Sequence, residues 1–332
     1  MRRNAARGST AESDPRRIHL FRPQNQLGDL LLNVPAIRSI RERFPRAHLT
    51  LTVGRQNSAA VAGQPWADEV RVVDANGFLG VLGGSIPRGA RPDLAVYFTT
   101  VSYSKGGAFL VRASRARERI GFDAARYGKR DLAGLTRALP YPERPLHQSE
   151  VCWTLAAAVG AGPPPPPPYF IPDPALLAAA PAGAVYLHPG AGKVKNRWPA
   201  ERFAVVAREL LARGREVVWI EGPQDEGCVE GATAALGTAL PVARGEPIAN
   251  LAARFARASL YIGNDTGPLH LAGAVGCPTV GLYGWSDPAE WSPVGSCVHT
   301  VRAADHSLNS VSPTEVLDAA LPLLMEERCT TV

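Results

Sequence analysis

The chain has 332 residues, 45% of them hydrophobic, with 36 Lys+Arg against 30 Asp+Glu and five cysteines. That length accommodates two cores, and no apolar run is long enough to cross a membrane. The cysteines are odd in number, widely spaced and without a C-x-x-C pair, which argues against a disulfide framework or a zinc site and for isolated, mostly buried thiols.

Residues 1–16 are polar and Arg-containing with no apolar h-region, so they read as a disordered tail and the protein as cytoplasmic. A strand is expected over 18–21, a helix over 30–43, and strands over 48–53, 70–73 and 93–98. Up to Gly162 there are 24 Lys+Arg against 13 Asp+Glu; beyond it, 12 face 17. The basic first half implies an anionic partner, with Arg38, Arg41, Arg112 and Arg115 as candidates, although such runs also occur as solvated helix faces. No aromatic-interleaved basic stripe accompanies them, so nucleic acid is not expected.

Six consecutive prolines, 163–168, predict a stiff extended linker. The alternation then resumes, with strands over 184–188, 216–220, 258–262 and 279–283 and helices near 200–213, 248–257 and 268–275. The expected organisation is therefore a tail (1–16), an α/β unit (17–162), a linker (163–172) and a second α/β unit (173–332). The last helix is a candidate to pack back on the first unit. Each unit is a Rossmann-like, doubly wound parallel sheet, and the two face one cleft.

Ligands of such sheets bind beyond the carboxyl ends of the strands. The turn Gly263-Asn264-Asp265-Thr266-Gly267-Pro268-Leu269-His270 leads from a strand into a helix, where unpartnered N–H groups and the helix dipole favour an anion. The alternative is a helix capped by its own Asp or Thr. Asp29, after Gly28, either complements a helix dipole or serves as a cleft base. Gly190-Ala191-Gly192-Lys193-Val194-Lys195-Asn196-Arg197 offers a Gly-rich turn with three cations, suited to phosphate, or else a polar loop of solvated lysines. It is not a P-loop, because Leu187 stands where the first glycine is needed and Val194 where Ser or Thr would hold magnesium. Gln224 and Glu226 follow a strand, a placement suited to ribose hydroxyls or to an ordinary first helical turn. Trp285, Asp287, Pro288 and Trp291 either line a pocket or pack in the core. With no G-x-G-x-x-G, H-E-x-x-H or D-x-D, neither a dinucleotide nor a metal is expected as cofactor.

Three segments carry a family resemblance. Gly28-Asp29 with Leu-Leu-Leu-Asn-Val-Pro35, the loop from Pro189 to Trp198-Pro199, and Asp265-Thr266-Gly267-Pro-Leu-His270 followed by Gly276-Cys-Pro278, Leu282-Tyr283-Gly284 and Asp287-Pro288 resemble, in order, the motifs of family 9 glycosyltransferases, the bacterial heptosyltransferases. The resemblance implies a GT-B fold and inverting, metal-independent transfer of a heptose, usually from ADP-heptose. It implies Asp29 as the base on the acceptor hydroxyl, with Lys195, Asp265, Thr266, Gly267 and His270 holding the donor. The acceptor is expected to be an anionic glycan or glycolipid, as in lipopolysaccharide core, reached with peripheral membrane contact through the basic half. The extra residues around Lys195 leave Lys193 and Arg197 as alternatives for the pyrophosphate contact, and Gln224 stands where the family has an acid. Another nucleotide sugar, a protein or natural-product acceptor, and a non-catalytic sugar-nucleotide-binding protein are the competing readings.

Overall fold

A computed structural model describes residues 14–74 and 90–325. Most of the expected tail lies outside these residues. Its last three do not fit a tail, since Asp14 pairs with Arg43 at 2.9 Å and the Arg16 N–H donates to Asp93 at 2.9 Å.

The first unit runs β1 (Arg17–Arg22), α1 (Leu27–Arg43), β2 (His48–Gly54), α2 (Ser58–Val61), β3 (Glu69–Val73), β4 (Leu94–Tyr97), α3 (Lys105–Ala113), β5 (Glu118–Phe122), β6 (Arg137–Leu139) and α4 (Gln148–Ala157). The second runs α5 (Pro174–Ala179), β7 (Val185–His188), α6 (Ala200–Ala212), β8 (Val217–Glu221), α7 (Cys228–Leu236), β9 (Val242–Arg244), α8 (Ile248–Arg257), β10 (Leu260–Asn264), α9 (Gly267–Ala274), β11 (Thr279–Tyr283), α10 (Pro288–Trp291), β12 (Val298–Arg302) and α11 (Pro313–Leu323). Each unit holds a six-stranded parallel sheet, ordered β3-β2-β1-β4-β5-β6 and β12-β11-β10-β7-β8-β9. Helices cover both faces, so central strands such as β7 and β10 are buried along their whole length and read as apolar runs.

The cores are not separate. Leu30, Leu31 and Val34 of α1 belong to one buried cluster with Leu269, Leu271 and Ala272 of α9, so apolar packing continues from one unit into the other. The linker is fixed to both. Arg38 donates to the carbonyls of Pro166 (3.1 Å) and Pro168 (2.6 Å), and Gln64 exchanges two hydrogen bonds with the Ile171 backbone. The Tyr169 and Phe170 N–H groups reach the Ala274 carbonyl.

The last helix differs from expectation. α11 opens on a capping box, Ser312 with Glu315, and buries Val316, Ala320 and Leu323 in the cluster beneath α6 and the second sheet, not against the first unit. Its apolar face is used up where the chain already is. Cys152, Cys228 and Cys277 are buried free thiols, and burial pushes Cys152 up to about 12. Cys297 is disulfide-bonded, which corrects the expectation of an isolated thiol there.

One polar side chain inside the first sheet has a measurable signature. His19 on β1 is buried, stacks on Phe21 at 3.9 Å between ring centroids and bonds Thr52 Oγ1 at 2.7 Å. Burial, helped by the charge of Arg71 and opposed by Glu69, lowers its pKa from 6.5 to about 3. The unfolded chain therefore binds this proton below pH 6.5 while the folded one refuses it, and stability falls as pH drops from 6.5 toward 3, by roughly 1 kcal/mol per pH unit. His19→Gln is expected to flatten this part of the curve in urea unfolding between pH 7 and 4.5. Equal slopes for both proteins would refute it.

Candidate active site

Two helix N-termini meet between the sheets. α1 starts just after β1 and α9 just after β10, and neither Gln26 nor Thr266 caps its helix with a side chain. The capped-helix alternative thus fails at the Asp265 turn. The Thr266 hydroxyl turns away to the Asn264 carbonyl (3.1 Å) and His188 Nδ1 (3.3 Å), leaving the first-turn N–H groups of α9 without a side-chain cap. The approach of the two ends is close: a Cβ on Gly28 would lie 2.7 Å from His270 Cδ2, so only glycine fits at the head of α1. Partial positive charge from both dipoles accumulates there.

Asp29 sits in the first turn of α1 and is partly exposed. The buried Arg22, at the end of β1, donates to its Oδ2 at 2.9 Å and also contacts Gln24. Burial lowers the guanidinium pKa, against the opposing attraction of the carboxylate. Arg22 was not singled out by sequence, although its place at the carboxyl end of the first strand is the available signal.

Across the junction, Asp265 accepts from Ser286 Oγ at 2.6 Å and lies 3.5 Å from His270 Nε2. The His270 ring is buried, and its Nδ1 has no partner in the structure. Native interiors seldom leave such an atom unbonded. Asp265, Thr266, Gly267 and His270 are thus brought together, facing Asp29.

The loops beneath this turn are held by a second network. His188, ending β7, bonds Asp225 Oδ2 at 2.8 Å through Nε2 and meets the Tyr261 hydroxyl at 3.0 Å through Nδ1. Asp225 also accepts the Gly222 N–H at 2.6 Å. Its carboxylate fills the space where a Cβ of Gly190 would be, with Cγ 2.0 Å from that position. Asp225 is a strut, and Gly190 is glycine because the strut passes through it.

Of the three loop cations, Arg197 is occupied: it donates to the Ala191 carbonyl at 2.8 Å and the Gln224 carbonyl at 2.9 Å, tying the two loops together. Arg197 also borders the pocket shared by Lys195 and Glu226. Lys195 rides on a short 3₁₀ turn, Val194–Asn196, with Nζ 4.5 Å from the centre of the Trp285 ring. Lys193 is exposed at the start of that turn. Ala191 is buried, Gly192 and Gln224 touch at the loop surface, and Glu226 borders a pocket of about 690 Å³ with Lys195 and Asn309.

The expected acceptor arginines are not brought to this place. Arg38 and Arg41 lie in the later turns of α1, about 14 and 18 Å along the axis from Asp29. Arg38 clamps the linker, and Arg41 pairs with Asp68 at 2.6 Å and the Ala47 carbonyl at 3.0 Å. Arg112, in the last turn of α3, and Arg115, which follows that helix, stand at the opposite edge of the sheet. In a β-α-β unit the end of a helix returns to the edge where the next strand starts. Among the described residues, cations that follow strands at the cleft edge include Arg55 after β2, Lys105, opening α3, and Arg126, Lys129 and Arg130 beyond β5. The rule that loops after strands carry ligands picks these out.

No helix among the described residues is long and apolar enough to cross a membrane, and no group of three or more His, Cys, Asp or Glu among them is placed to hold a metal ion.

A sequence model of glycosyltransferase family 9 (heptosyltransferase) matches residues 100–320. The lipopolysaccharide heptosyltransferase 3 of Escherichia coli is 32% identical over 126 residues, a match spanning 37% of this chain and 37% of that protein. A family 9 glycosyl transferase from Veillonella parvula superposes with a TM-score of 0.83 at 22% identity, covering 94% of this chain and 98% of that one. The Escherichia coli ADP-heptose LPS heptosyltransferase II does so at 0.76 and 20%, covering 94% and 99%. These two likenesses establish the GT-B fold expected from the motifs.

Proposed function

The chain belongs to glycosyltransferase family 9, and from that premise we propose that it moves a heptose from ADP-heptose to a hydroxyl of an anionic glycan acceptor, with inversion and without a metal ion. What supports this most is the pair of uncapped helix N-termini with Asp29 on one side and Asp265 and His270 on the other. The donor diphosphate lies at the N-terminus of α9, where first-turn N–H groups, the His270 ring and Lys195 take up its charge. The nucleoside runs toward the loop after β8, near Gln224 and Glu226. The acceptor enters from the first unit, whose cleft edge carries Lys105, Arg126, Lys129 and Arg130.

Arg22 holds Asp29 Oδ2, and Oδ1 takes the proton of the acceptor hydroxyl. That oxygen attacks the anomeric carbon from the face opposite the diphosphate, and the sugar–phosphate C–O bond breaks with its electron pair leaving on ADP. General-base help contributes about 10²- to 10⁴-fold. Hydrogen-bond donors aimed at the departing charge contribute about 10²- to 10³-fold each.

The test is transfer itself. Incubation with ADP-heptose and a panel of lipopolysaccharide-core acceptors is expected to give a product one heptose heavier, with release of ADP and no loss of rate in EDTA. ADP, at one hundred times its Kd, is expected to stabilise the fold by about 2.7 kcal/mol, and UDP and GDP by less. A donor hexose turned over faster than the heptose, or equal stabilisation by all three nucleotides, would overturn the donor assignment.

A further inference from the structure

Trp285 is the one exposed tryptophan of six, with 67% of its surface open, and it stands directly after β11, beside the Asp265 turn. Its neighbours leave little freedom. Ser286 is bonded to Asp265, and a Cβ on Gly284 would meet the His306 carbonyl oxygen and Leu308 Cγ, each at 3.1 Å. Lys195 lies over the indole, and the His306 ring is 6.2 Å away. An indole this open, fixed one residue from a partner of Asp265, leaves most of its apolar surface facing solvent.

We infer that Trp285 is a specificity-determining wall of the donor-sugar subsite, stacking against the apolar C–H face of the transferred sugar while Lys195 spans from the ring to the diphosphate. This rests on the reading of the site given above. The topology supplies the direction. The sheet order is β11-β10-β7-β8, and neighbouring strands are about 4.8 Å apart. A donor whose diphosphate sits at the end of β10 extends two ways along this edge. The nucleoside takes the side of β8, where Gln224 and Glu226 offer hydroxyl partners, and the sugar is then carried toward β11 and Trp285. Carbohydrate sites commonly pair a flat aromatic surface with a few charged groups, and the indole with the Lys195 ammonium is such a pair. Lys195 over the ring is itself a cation–π contact that holds the ammonium at the phosphate side.

The experiment is calorimetric titration of the full chain and of Trp285→Ala, Trp285→Phe and Lys195→Ala with ADP and with ADP-heptose. The wild type is expected to bind both. Trp285→Ala should lose about ten-fold in ADP-heptose affinity and keep its ADP affinity within about two-fold, with Trp285→Phe recovering part of the loss. Lys195→Ala should weaken both ligands, which separates a sugar wall from a residue that only props the lysine. Acrylamide quenching should report shielding of the exposed indole by ADP-heptose and not by ADP. An equal loss for both ligands in Trp285→Ala, no loss for either, or an effect confined to the acceptor KM would overturn the inference and leave the donor reading standing. Failure of the wild type to bind ADP-heptose would overturn both.

Discussion

Asp29→Asn is expected to lower kcat by about 10²- to 10⁴-fold while ADP affinity stays within about two-fold. The asparagine keeps the volume and one carbonyl-type oxygen for Arg22, but it cannot take the acceptor's proton. The proposed nucleotide contacts are on the other unit and are untouched. The substitution has a second effect, because Arg22 is buried and the carboxylate is its charge partner at 2.9 Å. Breaking a buried pair outright costs about 3–5 kcal/mol, and the retained hydrogen bond reduces that figure. Single-turnover rates, ADP titration and thermal unfolding on the same sample separate the two effects. A folded Asp29→Asn protein turning over at the wild-type rate would remove Asp29 from the mechanism.

Gly190→Ala is expected to be the most damaging small substitution in the second unit. The added methyl would stand 2.0 Å from Asp225 Cγ, so the carboxylate must leave and its bonds to His188 and the Gly222 N–H break. Both side chains are almost fully buried. Stranding them costs about 3 kcal/mol or more, and Thr266 loses the imidazole that fixes its hydroxyl, so ADP affinity falls as well. The pH dependence follows from Asp225. Burial raises its pKa, but the His188 hydrogen bond and charge, with the Gly222 N–H, outweigh burial and hold it below the usual 3.8. A carboxyl depressed in the folded state stabilises above the unfolded value and loses that contribution as pH falls through the folded one. The gap between wild type and Gly190→Ala is therefore full at pH 7 and narrows below about pH 4. Denaturant titrations at pH 7 and pH 3.5 showing the same gap would contradict this account.

The central strands were legible because a strand covered on both faces is a run of apolar residues. β11 falls at 279–283 as read, and β1 at 17–22 against 18–21. The edge strands β6 and β9 were not legible. Each has three residues and includes an exposed arginine, so composition does not distinguish them from loop. The Asp265 turn could be read as a strand-to-helix turn because its signal is local, a strand end and a helix start within eight residues. The His188–Asp225 strut and the Lys195–Trp285 contact join residues 37 and 90 positions apart, and no periodicity reports such a pair. The positions of the expected acceptor arginines were illegible for another reason. Charge density along the chain does not say which edge of a sheet a residue reaches, whereas position relative to the preceding strand does.

The packing of Leu30 and Val34 on Leu269 and Leu271 limits how freely the two halves can be exchanged. A chimera joining a relative's first half to this second half would have to reproduce more than the chemical residues. Its first helix would need a glycine opposite His270 and a side chain shaped like Leu27 opposite Gly267, which lies 3.2 Å from the Leu27 Cβ when given a Cβ of its own. The loops beyond β4 and β5, where the acceptor is proposed to enter, lie outside this seam, so grafting those loops is expected to perturb the fold less than swapping whole halves.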